Sequence, residues 1–137
     1  MQILGLDIGD KRIGLSKGNP TLGVATPYTL IHADTKEKAV EDIGKIIEKE
    51  KFEKVVYGLP LKESGEKGEQ ALKTETFVQE LKKYCCNVKE WIPIDERYTT
   101  QMAQQAMSEM KLTIKKKKLM VDKLSAVLIL QKYFNNL

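Results

Sequence analysis

Apolar residues recur along the chain at two spacings, one of a strand and one of a helix. The run Ile3-Leu4-Gly5-Leu6-Asp7-Ile8 is almost continuously apolar and too short for a helix. It predicts a buried strand over 2–8, ending in the turn Asp7-Ile8-Gly9-Asp10. Residues 11–18 read as a second strand, and the short glycine-bearing turn between them makes a hairpin. Residues 23–31 read as a third strand, with Pro27 marking an edge or a bulge. Ala39, Ile43, Ile46 and Ile47 keep helical spacing and predict an amphipathic helix over 35–50. Asp34 offers its N-cap and Glu37 a box-like partner.

Val55-Val56-Tyr57 is a short fourth strand, closed by Gly58-Leu59-Pro60-Leu61. The polar stretch 62–69 reads as a mobile loop. Ala71, Thr74, Phe77, Val78 and Leu81 mark a helix over about 70–84, and residues 88–94 a fifth strand. Thr99 or Thr100 caps a further helix with Ala103, Ala106, Met107 and Met110 on its apolar face. Residues 112–118 read as a basic connector and 119–134 as the last helix. Three strands, then alternating helix and strand, predict a mixed α/β sheet with a meander followed by crossovers.

The chain has 137 residues, which fits a single domain over 1–137. A hydrophobic share of 42% with 31% charged residues is that of a water-soluble globular protein. No apolar stretch approaches the roughly 20 residues of a membrane span, and the N-terminus has neither a basic n-region nor a cleavage site. A cytoplasmic protein with no membrane partner is expected. Cys85 and Cys86 are adjacent, which disfavours a bridge between them, so both read as reduced thiols. The net charge is only +4, but two of the 23 basic residues are arginine and the other 21 lysine. Arg12 and Arg97 each lie beside a suspected site carboxylate, where a planar fork serves carboxylate or phosphate better than an ammonium.

Three acids carry the candidate chemistry. Asp7 ends an apolar strand, Glu96 follows another, and Asp122 interrupts the apolar part of the last helix. Buried carboxylates are costly unless paired or metal-bound. Asp7 could instead cap its own turn, and Asp122 could pair with Lys118 on a helix surface. Ser125 and Ala126 are small, however, and leave space one turn beyond Asp122. Asp95 and Glu96 are consecutive, so strand alternation sends only one of them to a given face. Thr99 and Thr100, with the helix N-terminus they begin, suit a phosphate oxygen. The lysine run 115–118 could track a nucleic-acid backbone, although such runs are usually solvated. The glycine-rich start is neither a dinucleotide fingerprint nor a P-loop.

Together these residues resemble the YqgF family, whose ribonuclease H fold is related to Holliday-junction resolvases. Leu4-Gly5-Leu6-Asp7-Ile8-Gly9 with Lys11-Arg12-Ile13-Gly14 is similar to its first motif, and Tyr57-Gly58-Leu59-Pro60-Leu61 to its second. Asp95-Glu96-Arg97-Tyr98-Thr99-Thr100 is similar to its third, and Asp122-Lys123-Leu124-Ser125-Ala126 to its fourth. Ser125 stands where the family commonly has alanine.

The resemblance implies a five-stranded mixed sheet flanked by helices, with Asp7, Glu96 and Asp122 as catalytic and metal-binding acids for Mg²⁺ or Mn²⁺. Lys11, Arg12, Gly58, Pro60, Arg97, Thr99 and Thr100 would then contact substrate. It implies a phosphodiester-hydrolysing nuclease that processes the 5′ end of pre-16S rRNA in ribosome biogenesis, with the rRNA precursor and ribosomal particles as partners. A resolvase of branched DNA is the alternative. That role needs a symmetric dimer, while a monomer or weak dimer is expected here. An actin-like ATPase domain and a nucleic-acid-binding module that does not cut are the readings from other classes.

Overall fold

The computed structural model describes residues 1–96 and 114–137, the side chains of 114–123 excepted. Five strands form one sheet in the order β3-β2-β1-β4-β5. They are β1 (Ile3–Ile8), β2 (Arg12–Asn19), β3 (Val24–His32), β4 (Lys54–Leu59) and β5 (Glu90–Asp95). Helices α1 (Lys36–Glu50) and α2 (Glu69–Tyr84) are the crossovers into β4 and β5, and α3 (Ile114–Asn135) ends the chain. β1, β2 and β3 form an antiparallel meander, whereas β1, β4 and β5 run parallel. The expected mixed sheet with a meander first is the one observed.

Each face of the sheet has its own apolar core. Leu4, Leu6, Ile8, Ile13 and Leu15 pack with Ile43, Ile47, Phe77 and Leu81 of α1 and α2. Ile3 and Val56 pack on the other face with Ile129, Leu130 and Phe134 of α3. Each such side chain, fully buried, contributes about 1.5–3 kcal/mol.

Strand alternation explains how α3 reaches its face. The register pairs Ile3 with Gly18, Gly5 with Ser16 and Asp7 with Gly14. Each of these pairs contains a small residue, so α3 lies in a shallow groove. A Cβ on Gly5 would stand 2.9 Å from Leu130 Cβ and 3.3 Å from the Ala126 carbonyl, and one on Gly18 2.7 Å from the Phe134 ring. Ser16 fastens the contact: its buried hydroxyl donates to the Ala126 carbonyl at 2.7 Å. Gln131 fastens the next turn, accepting from the Ala25 N–H at 3.0 Å and donating to the Gly23 carbonyl at 2.8 Å.

Three local expectations change. The cap of α1 is Thr35, not Asp34, and its hydroxyl accepts from the Lys38 N–H at 3.2 Å. The Ala33 N–H still donates to the Lys11 carbonyl, which holds the chain in its strand path past Asp34's neighbour. α3 begins by Ile114, so Lys115 to Lys118 are helical and not a connector. Lysine is a good helix former, and no glycine or proline breaks the run. The segment after β4 is a loop, as expected, and it closes on itself, with Leu61 bridged to Lys67 and the Lys62 N–H donating to the Glu66 carbonyl at 2.9 Å. β4 and β5 run to Leu59 and Asp95, past their expected ends at 57 and 94. The helix expected after Thr100 lies outside the described residues. Both cysteines are free thiols, as read.

The groove predicts a cost for filling it. Gly5→Ala should destabilise the protein by about 1–3 kcal/mol in urea unfolding, and an unchanged midpoint would show that α3 can lift away freely.

Candidate active site

Asp7 is set by the same alternation that builds the groove. Ile3, Gly5 and Asp7 face α3, while Leu4, Leu6 and Ile8 face α1 and α2. Gly14 stands opposite Asp7 on β2 and brings no side chain. On the other flank Leu6 pairs with Tyr57, which puts Gly58 beside Asp7 on β4. The carboxylate therefore rises between two glycines.

Glu96 comes in from just beyond β5. Its N–H donates to the Leu59 carbonyl at 3.3 Å, which extends the β4–β5 ladder by one step. Its carboxyl occupies the space that a Cβ on Gly58 would need, next to Ile129 of α3. Gly58 is thus the residue that lets Glu96 reach Asp7. The two carboxyls hydrogen-bond. Burial, the Asp7 charge, that hydrogen bond and the Asp95 charge together raise the Glu96 pKa from 4.5 to about 8. The pair consequently shares a proton at neutral pH. The Asp95 charge adds to the shift, and its backbone carbonyl accepts from Lys132 Nζ at 2.8 Å.

Asp122 lies in α3, one turn before Ala126, whose carbonyl Ser16 holds. Its side chain is outside the described residues, as are Arg97, Thr99 and Thr100. Among the described residues no group of three His, Cys, Asp or Glu closes on one point; what the structure brings together is Asp7 and Glu96. Lys11 and Arg12 stand at the β1–β2 turn, on the same sheet end, with Lys11 exposed and Arg12 half-buried. Pro60 follows β4 and is half-buried.

The donor set fits a hard divalent cation on two observations. Glu96 Oε2 is buried with no hydrogen-bond partner, and so is Ser125 Oγ, one turn along α3 from Ile129. Both are oxygens, the donor type such ions take. A cation would also replace the proton that two adjacent carboxylates now need. Ser16 was not singled out by the sequence, and Gly14 only as a glycine of the hairpin and its motif. Their signal is parity: on two paired strands, the small residues fall on the face that carries the acid.

A mixed five-stranded sheet crossed by a helix, with an acidic pair at the C-terminal ends of parallel strands, is a ribonuclease H-like fold. The Fowlpox virus resolvase, solved with its substrate Holliday junction DNA, has this fold with a TM-score of 0.60 at 14% identity. The likeness covers 99% of this chain and 98% of that one. T. thermophilus RuvC in complex with a Holliday junction substrate gives 0.54 at 13% identity, covering 99% and 94%. A family model described as "RuvX: Holliday junction resolvase" matches residues 1–136, and the chain belongs to that family. A relative in Sulfurihydrogenibium sp. (strain YO3AOP1), named "Putative pre-16S rRNA nuclease", is 45% identical over 99% of this chain and 91% of its own length. A protein of the same name in Clostridium novyi (strain NT) is 36% identical over the full length of both. No helix among the described residues is long and apolar enough to cross a membrane.

The raised pKa has a thermodynamic consequence in metal-free protein. The folded state holds a proton on Glu96 that the unfolded state has lost, so stability from this group is full below pH 4.5 and falls as pH rises to about 8. Relative to Glu96→Gln, wild type in EDTA should lose stability across that window, with a slope of at most about 1.4 kcal/mol per pH unit. Urea midpoints measured from pH 5 to 8 check this; parallel curves for the two proteins would contradict it.

Proposed function

We propose that this protein is a metal-dependent nuclease that hydrolyses phosphodiester bonds at Asp7, Glu96 and Asp122, trimming the 5′ end of pre-16S rRNA in ribosome biogenesis. The observation that carries the reading is the half-buried Asp7–Glu96 pair at the sheet end beneath α3. The relatives' shared name supplies the substrate.

The residues divide the work. Asp7 is held rigidly by β1, between Gly14 and Gly58, which leave room for a phosphate to approach. Glu96 holds the proton of the pair and would release it to solvent on binding a cation. Asp122 would complete the oxygen donors from α3, whose seat Ser16 fixes. Mg²⁺ or Mn²⁺ bound there would supply Lewis acidity for the attacking water and for the leaving oxygen. Lys11 and Arg12 at the hairpin, with Arg97, Thr99 and Thr100, would hold phosphate oxygens through charge-assisted hydrogen bonds. Gly58 serves the acids by making space for Glu96, and Pro60 would meet the substrate strand beyond it. The cytoplasm is the compartment in which an rRNA precursor is met.

The family description favours a second reading, the resolution of branched DNA by a dimer. Cleavage of a labelled pre-16S rRNA and of a four-way DNA junction, each with Mg²⁺, with Mn²⁺ and with EDTA, separates the two. RNA cleavage should require metal, and Asp7→Asn or Asp122→Asn should each lower it about 100-fold or more with unchanged circular dichroism. Paired cuts in the junction alone would replace the first reading with the second. Full activity in Asp122→Asn would remove that residue from the site.

A further inference from the structure

We propose that Lys62 is a further substrate-binding residue, a cation fixed by the loop after β4 to hold a backbone phosphate of the RNA strand that reaches the acidic pair. The inference rests on the nuclease reading and adds to it a residue outside the motifs.

The loop is tied to the site at both ends. The Leu59 carbonyl accepts from the Glu96 N–H at 3.3 Å and from the Leu61 N–H at 3.0 Å, so the chain leaves β4 bonded to a site acid. Lys62 comes next and opens a tight turn over residues 63–65. Its carbonyl accepts from the Gly65 N–H at 2.8 Å, and its N–H donates to the Glu66 carbonyl at 2.9 Å. Gly65 takes φ 87°, the left-handed conformation that such a turn needs and glycine adopts freely. Both backbone groups of Lys62 are therefore bonded within the loop. Beyond it, Gln70 at the start of α2 donates to Asp10 of the β1–β2 hairpin. The loop thus lies at the site end of the sheet, between Glu96 and the hairpin that carries Lys11 and Arg12.

The Lys62 side chain is held as well. A Cβ on Gly68 would stand 2.8 Å from Lys62 Cε and 3.3 Å from its Cγ, so the stem lies across the Gly68 α-carbon. The backbone there does not require glycine: φ −93° and ψ −168° are extended values open to any residue. What Gly68 supplies is room for the stem. A lysine ordinarily loses rotamer entropy when it binds a ligand; here the fold has already taken part of that loss.

The two lysines of the loop differ in what they face. Lys67 Nζ is 2.9 Å from Glu75 Oε2 and is neutralised there. Lys62 is exposed and has no carboxylate within ion-pair distance among the described residues. Glu63 and Glu66 stand on the same turn and repel a phosphate, so an RNA backbone is accepted at this loop only against a cation. An ordered ammonium, open to solvent beside a pair of site acids, suits a phosphate oxygen of the strand.

Fluorescence anisotropy with a short labelled single-stranded RNA, in EDTA and over a series of KCl concentrations, tests binding apart from cleavage. Lys62→Met keeps most of the stem and removes the charge. Its Kd should rise about three- to tenfold, and the slope of log Kd against log salt should fall by about 0.7, the share of one phosphate contact. Lys67→Met removes an equal charge from the same loop and should leave that slope unchanged, because Lys67 is already paired. Gly68 is a positioning residue: Gly68→Ala should weaken binding in wild type and have no further effect in Lys62→Met. In Mg²⁺, Lys62→Met should raise KM for the RNA and leave kcat as it is. Equal slopes in Lys62→Met and wild type, or the same fall of slope in Lys67→Met, would overturn the assignment of Lys62 and leave metal-dependent cleavage by wild type untouched. A wild type that neither binds nor cleaves RNA would overturn both readings.

Discussion

The close approach of α3 to the sheet is the constraint on which the rest depends. A helix normally stands off a sheet by the length of the side chains between them. Here Gly5, Gly18 and Gly58 remove that spacing, and Ala126 presents its backbone to Ser16. The gain is geometric. Backbone on backbone leaves little freedom to slide, and Ser16 and Gln131 turn the contact into a fixed register. Whatever α3 carries near Asp122 is thereby held at a set height over β1. The same missing side chains open the space that Asp7 and Glu96 share.

That space has an electrostatic character of its own. Two carboxyls in contact inside a protein cannot both ionise without a compensating charge. The fold nevertheless brings them together, spending a glycine at Gly58 to do so. A structural pair could have been replaced by apolar residues at no loss of stability. Two acids in contact at a strand end, with Glu96 Oε2 buried and without a hydrogen-bond partner, form an arrangement that suits a cation. The arrangement that is costly for two bare carboxyls is the one that favours a cation.

Much of this was legible in the sequence, and the reasons for success and failure are physical. The strands read correctly because their inward residues are long aliphatic runs, as in Ile3 to Ile8, which no helix period fits. Asp7 and Glu96 stood out because an acid at the end of such a run breaks the pattern. What alternation could not give was pairing. That Gly14 faces Asp7, and that Ser16 meets Ala126 110 residues away, needs the register. Boundaries failed where two local signals were equal. Asp34 and Thr35 are both good caps by residue type, and it is the Thr35 hydroxyl that accepts from the helix, at the Lys38 N–H. The lysine run was read as a break because it is charged, but charge does not end a helix; the backbone does. The loop after β4 was legible from its polar residues, but the backbone pairing of Leu61 with Lys67 that closes it was not.

The central claim is that the Asp7–Glu96 pair is a cation site. Crystals grown with Mn²⁺ and measured near the manganese absorption edge test it most directly. The account predicts an anomalous peak within coordination distance of both carboxylates, on the α3 side of the sheet and within reach of Asp122, with the hydrogen bond between the acids gone. Manganese found elsewhere, or the two carboxyls still sharing a proton in saturating metal, would contradict it.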